Sequence, residues 1–292
     1  MEWEGRQESQ NVEDRRGMGV GRGTMAVGGV GGIIIVVVGL LFGVDLRELV
    51  DVQGPGGGPG GQPGQQEGPR QTNAQEERQA AFTKVIFHDT EVIWEEQFAK
   101  LGKKYEKPIL VLFSGRVDSA CGQADAAVGP FYCPGDSRVF IDLSFYNDMQ
   151  RKLNAPGEFA RAYVIAHEVG HHVQRLLGYS RAVDEVRARG NKVETNRASV
   201  RLELQADYLA GVWAHHGQRK FNFLQDGDID TALKAAFEIG DDRLQKRSTG
   251  TVVPDSFTHG TSKQRMRWFN QGFKTGDVKG AKALFDLPYD QL

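Results

Sequence analysis

The sequence predicts an α+β domain, mainly helical with a small sheet, set behind one N-terminal transmembrane helix. Three observations carry that expectation. From Phe159 to Leu177 the apolar residues recur at helical spacing. Two short runs, Pro108 to Phe113 and Val139 to Phe145, are β-rich. Residues 25–44 carry no charge and, at ~1.5 Å per residue, can cross a hydrocarbon core as a helix.

The chain has 292 residues, 39% of them hydrophobic, enough for one sizeable domain with a core plus additional segments. The net charge of −2 is spread with both signs mixed, which excludes the basic stripe of a nucleic-acid binder. Residues 1–24 are polar, with no apolar periodicity, and predict a disordered tail. Gly17, Gly19, Gly21 and Gly23 alternate within it, but no strand precedes them, so a dinucleotide loop is rejected. Arg15, Arg16 and Arg22 lie before the uncharged run, and Asp45, Glu48 and Asp51 follow it. The positive-inside rule then places a single-pass anchor at 25–44 in the cytoplasmic membrane, with the tail cytoplasmic and the rest of the chain outside. Gly28, Gly32, Gly39 and Gly43 fall on one helical face and could form a homodimer seam. Residues 45–71, rich in Gly, Pro and Gln, read as a flexible linker. Globular composition resumes at Thr72 and continues to Leu292.

Within that domain, Phe82 to Leu101 reads as a helix and Pro108 to Phe113 as a strand. Cys121 and Cys133 bracket a turn-rich loop. In an exported domain they can pair as a disulfide; the alternative is two buried thiols. Val139 to Phe145 reads as a second strand, the expected edge for an extended peptide substrate. Ser180 to Ser199 reads as a polar loop with a short helix, and Val200 to Trp213 as a long helix. Asp226, Asp228 and Asp230 hint at a calcium loop, but Thr231 and Phe237 stand where glycine and glutamate are wanted. These acids fit better as caps of a helix from Ile229 to Gly240. The last recognisable element is a helix carrying Arg265, Met266, Trp268 and Phe269.

The chemistry centres on His167-Glu168-Val169-Gly170-His171. On a helix His167 and His171 share one face, so both imidazoles can reach one ion, and Glu168 can hold a water there. A catalytic zinc needs a third protein ligand and an open position. Glu203 is the best candidate, a charge inside an otherwise apolar helical stretch. Asp207, one turn on, is suited to accept the second N–H of a ligand histidine. The competing reading of Glu203 and Asp207 is a solvated face paired with Arg197 and Arg201. His172 points to another face and is read as a non-ligand. Glu168 is the expected general base, His259 a catalytic candidate as donor to an oxyanion, and Arg265 a candidate for the oxyanion or for support.

Taken together, His167 to Gln174, Glu203-x-x-x-Asp207, the Cys121–Cys133 loop with the run after it, and Ser256-Phe257-Thr258-His259-Gly260-Thr261 resemble the bacterial putative neutral zinc metallopeptidase family. More distantly, the zinc helix and the Glu-x-x-x-Asp segment resemble membrane-associated gluzincins, which carry a late His-Pro with an arginine six residues on. Here His259 and Arg265 keep that spacing, with Gly260 in place of proline. The resemblance implies a zincin-like fold, one bound zinc and peptidase activity, in a protein of the bacterial inner membrane with its catalytic domain periplasmic. Expected partners are a peptide or protein substrate and the membrane. The alternatives are a zinc-stabilised binding or scaffolding domain without turnover, and a zinc hydrolase of a non-peptide amide.

Overall fold

A computed structural model describes residues 1–17 and 73–292. Residues 25–44, with the proposed glycine seam, and the linker lie outside the described residues. Among the described residues no helix is long and apolar enough to cross a membrane.

The elements run β1 (Val12–Asp14), α1 (Ala74–Lys100), β2 (Ile109–Phe113), β3 (Arg116–Ser119), β4 (Gly122–Asp125), β5 (Phe131–Cys133) and β6 (Arg138–Asp142). There follow α2 (Phe145–Arg151), α3 (Glu158–Leu177), α4 (Tyr179–Ala188), α5 (Lys192–Phe221), α6 (Asp228–Glu238), α7 (Asp241–Ser248), α8 (Ser262–Thr275) and the short α9 (Ala283–Asp286). The expected mainly helical domain with a small sheet is what forms.

The principal sheet has the order β1-β2-β6-β5, with β1 and β6 parallel to β2 and β5 antiparallel to β6. Alternation divides its residues cleanly. Leu110, Leu112, Val139 and Ile141 join the helical core, whereas Val111, Phe113 and Phe140 face the β3–β4 hairpin side. Both faces are covered, which is why these strands read as continuous apolar runs.

The segment between the cysteines is more structured than a loop. It holds β4 and β5, and the Cys121–Cys133 disulfide joins the turn of the β3–β4 hairpin to β5. The strand expected to be the substrate edge, β6, is internal: β2 and β5 occupy its two sides, so its backbone groups are already paired. Among the described residues the outer strands are β1 and β5, and β5 is the one beside β6.

Helix lengths also exceed the sequence reading. α1 begins at Ala74, capped by the Asn73 side chain accepting from the Glu76 N–H. The short helix expected after α3 is α4, and the rest of that polar stretch opens α5, with the break at Gly190, φ 75°, and Asn191, which accepts from the Glu194 N–H. α5 is the central strut, packing on α3 and α8. Its crossing with α8 is close because two glycines allow it. A Cβ on Gly211 would lie 2.1 Å from the Phe269 carbonyl oxygen, and one on Gly272 would lie 1.9 Å from that of Tyr208.

The N-terminal residues correct a sequence expectation. Residues 1–17 are part of the domain, not a disordered tail. β1 pairs with β2, Trp3 is buried edge-on against Phe82, and the Glu2 N–H donates to the Phe223 carbonyl. Arg6 forms an ion pair with buried Asp89 and lies 4.3 Å over the Phe221 ring. Ser9 and Asn11 side chains both donate to Glu91 at 2.8 Å. The segment is held largely through polar partners, so apolar periodicity could not announce it. A strand inside the sheet also has to lie on the same side of any membrane as the rest of the domain.

Burial pushes the Asp89 carboxyl up to about 7, although Arg6 pulls it down. Because the folded pKa exceeds the unfolded one, Asp89 opposes stability progressively as pH rises from about 4 towards 7. Arg6→Ala leaves a buried carboxylate without its cation, and the expected cost is on the order of 3 kcal/mol. Thermal unfolding of the full chain should show a larger drop in Tm at pH 8 than at pH 5, where Asp89 is protonated in the fold. An equal drop at both pH values would remove Asp89 from the account.

Candidate metal centre

α3 and α5 build the centre. α3 is buried along most of its length and ends where Gly178 adopts φ 88°. Gly170, between the two motif histidines, faces Ala206 of α5. A Cβ there would meet the Ala206 carbonyl oxygen at 3.1 Å and its Cα at 3.2 Å. The missing side chain lets the helices approach between Glu203 and Asp207.

Among the described residues His167, His171 and Glu203 form a group whose potential ligand atoms all lie within 4.8 Å of one another. His167 Nε2 is 3.1 Å from Glu203 Oε2, and His171 Nε2 is 3.6 Å from Glu203 Oε1. Glu203 therefore faces the histidines, not Arg197 or Arg201. Arg201 donates to the Leu284 and Leu287 carbonyls, and Arg197 pairs with Asp255.

The other ring nitrogens are committed, which tests whether the set fits a metal. His167 Nδ1 donates to Asp207 Oδ1 at 2.8 Å. His171 Nδ1 lies 2.9 Å from Gln174 Oε1, while Gln174 Nε2 donates to the Leu202 carbonyl at 2.6 Å. Since the amide N–H group is used on Leu202, its oxygen must accept, so Nδ1 carries the proton. On both histidines Nε2 is thus the atom that faces Glu203 and would give its lone pair to a metal in place of a proton. Two imidazoles and a carboxylate, with a cavity on the open side, fit zinc.

Asp207 is fully buried and serves four donors: His167 Nδ1, Tyr163 Oη at 2.5 Å, and Arg265 through Nε at 2.8 Å and Nη2 at 2.9 Å. Burial works against the Asp207 carboxylate, but Arg265 and then His167 outweigh it and hold its pKa at about 2. Burial likewise opposes the charged form of His167, yet Asp207 and Glu203 raise it to about 10. A bound divalent ion takes the place of that proton.

Glu168 lines the same cavity as His167, His171 and Glu203. Burial raises its carboxyl above the ordinary range, opposed by the two histidines and by a hydrogen bond from the Tyr132 backbone N–H. That N–H belongs to β5, so the sheet edge lies against Glu168.

The two oxyanion candidates are both buried. Arg265 is 1% exposed, and Nε, Nη1 and Nη2 are engaged by Asp207, the Ile239 carbonyl and Tyr163. Its bonds to Asp207 give it the supporting one of its two expected roles. His259 is 3% exposed and does not line the cavity. Its Nδ1 donates to Asp241 Oδ1 at 3.0 Å, and Asp241 Oδ2 accepts the backbone N–H groups of Thr258, His259 and Gly260. His172 turns away from the centre, donating through Nε2 to the Glu106 carbonyl and accepting from Tyr132 Oη at Nδ1. Its burial lowers its pKa to about 4.

Tyr163, Gln174 and Asp241 were not singled out from sequence. Tyr163 and Gln174 sit on the zinc helix one turn before His167 and three residues after His171, so helical spacing offered a signal. Asp241 offered none. Replacing Gln174 with Leu frees His171 Nδ1–H and leaves the Leu202 carbonyl without its donor. Zinc affinity, measured by competition with a chromophoric chelator, should fall about 10- to 100-fold with the fold retained. Unchanged affinity would show that Gln174 does not orient the ligand.

The comparisons with known proteins cover nearly the entire chain. The family model described as "Putative neutral zinc metallopeptidase" matches residues 1–284, which include the docked N-terminal segment. The uncharacterized protein YpfJ of Escherichia coli K12 is 50% identical over 286 residues, covering 95% of this chain and 96% of YpfJ. The uncharacterized protein Rv2575 of Mycobacterium tuberculosis is 43% identical over 183 residues, 59% of this chain and 61% of that protein. No solved structure matches. With its metal-ligand set assembled and the match spanning both described segments, the chain belongs to the putative neutral zinc metallopeptidase family.

Proposed function

We propose that this protein is a zinc-dependent endopeptidase that hydrolyses peptide bonds with Glu168 as general base. The observation that carries the reading is the placement of Glu168 in the wall of the cavity that also exposes His167, His171 and Glu203. One zinc ion, held by those three residues, would supply polarisation of the scissile carbonyl and acidify a water. Glu168, its carboxyl raised by burial, accepts the water's proton and delivers it to the leaving nitrogen. Asp207 keeps His167 in one tautomer, and Gln174 does the same for His171.

The substrate strand in this reading is received by β5. Tyr132 pairs opposite Val139 of β6, and its N–H points outward, towards Glu168. Strand addition at that edge brings a substrate carbonyl alongside the base. The disulfide pins β5 through Cys133 to the hairpin, which keeps the edge in place.

The location proposed is the outer side of the bacterial cytoplasmic membrane, where a structural disulfide persists. In this reading residues 1–17 lie on that same side, because β1 pairs with β2, and the cytoplasmic tail and single pass expected from the sequence are set aside.

Glu168→Gln should keep zinc at unchanged stoichiometry and lose about 10²- to 10⁴-fold in kcat on a peptide library read by mass spectrometry. Cleavage that survives Glu168→Gln sinks the proposed role of this residue. For location, single cysteines replacing exposed Glu4 and Lys263 should react alike with a membrane-impermeant maleimide on intact cells. Labelling of one and not the other refutes the shared side.

A further inference from the structure

We infer that the cavity beside the metal ligands is a specificity pocket for one large apolar side chain, of the Leu, Met or Phe class, on a residue flanking the scissile bond. The inference rests on the peptidase reading and names the substrate feature that reading leaves open.

Its walls come from elements far apart in sequence. Phe145, Met149 and Leu153 line it from α2 and the turn after it, Val164 from α3, Ile239 from the end of α6 and Leu244 from α7. Val128, Pro130 and Phe131 form the wall that leads into the β5 edge. The next residue, Tyr132, is the one whose backbone N–H reaches Glu168. Phe131 of that wall and Tyr132, whose backbone lies against Glu168, are therefore consecutive in β5, so a side chain filling the cavity belongs to a residue whose backbone runs beside Glu168.

The polar members of the lining do not favour a charged side chain. His167, His171 and Glu203 point at one another, and Glu168 lies beside them. The Arg265 nitrogens are engaged by Asp207, Tyr163 and the Ile239 carbonyl. A Lys or Asp side chain entering the apolar part would lose hydration and find no partner there. A Leu or Phe side chain would gain from burying its surface. Among substrates differing at this one residue, Leu, Met or Phe should exceed Ala by about 10- to 100-fold in kcat/KM, and Lys or Asp should fall below Ala.

The test uses the zinc-loaded full chain and a peptide library with cleavage sites read by mass spectrometry. Two variants alter half-buried residues of the lining, Ile239→Asp and Val128→Trp. Their folding is checked by Tm and zinc content. Ile239→Asp should move the preference towards Lys and Arg, and Val128→Trp towards Ala and Ser. Cleavage with no apolar preference, or with a preference both folded variants leave unchanged, overturns the pocket. A second arm measures fluorescence anisotropy of labelled pentapeptides, differing at one residue, on zinc-loaded Glu168→Gln. If the wild type cuts nothing but binding still favours Leu, Met or Phe and Ile239→Asp reverses it, the pocket stands and the peptidase reading fails. Absence of both cleavage and residue-dependent binding overturns both.

Discussion

The buried carboxylate of Asp207 is the constraint on which the centre depends. A charge with no solvent access is tolerated only when it is paired and hydrogen-bonded. Asp207, on α5, meets that condition through donors from two other helices: His167 and Tyr163 on α3, and Arg265 on α8. Each partner is in turn buried, so none can leave without stranding a polar group. The ring of His167 is fixed as a by-product, and with it the direction of Nε2. The glycine contacts serve the same arrangement. Gly170 lets α3 approach α5, and Gly211 with Gly272 lets α8 approach α5 closely enough for Arg265 to reach across.

Arg265 shows how a residue can be recognised while the partner that holds it stays hidden. An arginine downstream of a zinc motif suits a developing negative charge, and that chemistry is sound. The helix α8 instead buries it against Asp207, where its charge balances a carboxylate already in place. His259 is held in a comparable way by Asp241, which closes the Thr258 to Gly260 turn with three backbone N–H groups. In both cases the decisive partner lies on another element, and no local pattern could have named it.

The sheet shows the same limit at the level of topology. Two strands were legible from their apolar runs because they are covered on both faces. Their order was not. β5 has three residues and ends on a cysteine, so it carries no periodic signal, yet it forms the edge next to Glu168. β1 is equally short, and the segment around it is held by Arg6, Ser9 and Asn11 to acids buried on α1. A polar stretch reads as disordered when its partners are out of sight, although Asp89 and Glu91 needed partners from the start.

By itself the sequence determined the helical character of the domain, the two motif histidines on one face, the glutamate between them, and Glu203 with Asp207 as a pair one turn apart. These follow from spacing along a single helix, where geometry is local and regular. It also indicated the disulfide, from two cysteines flanking a turn-rich segment. Tertiary structure alone decided that β5 and not β6 is an outer strand, that residues 1–17 complete the sheet, that Arg265 supports Asp207, and that the apolar walls from β5, α2, α3, α6 and α7 meet beside the ligands. Those outcomes depend on contacts between residues tens to hundreds of positions apart. Such contacts are set by which charges can be buried together and which backbones can approach, quantities that no window of the chain contains.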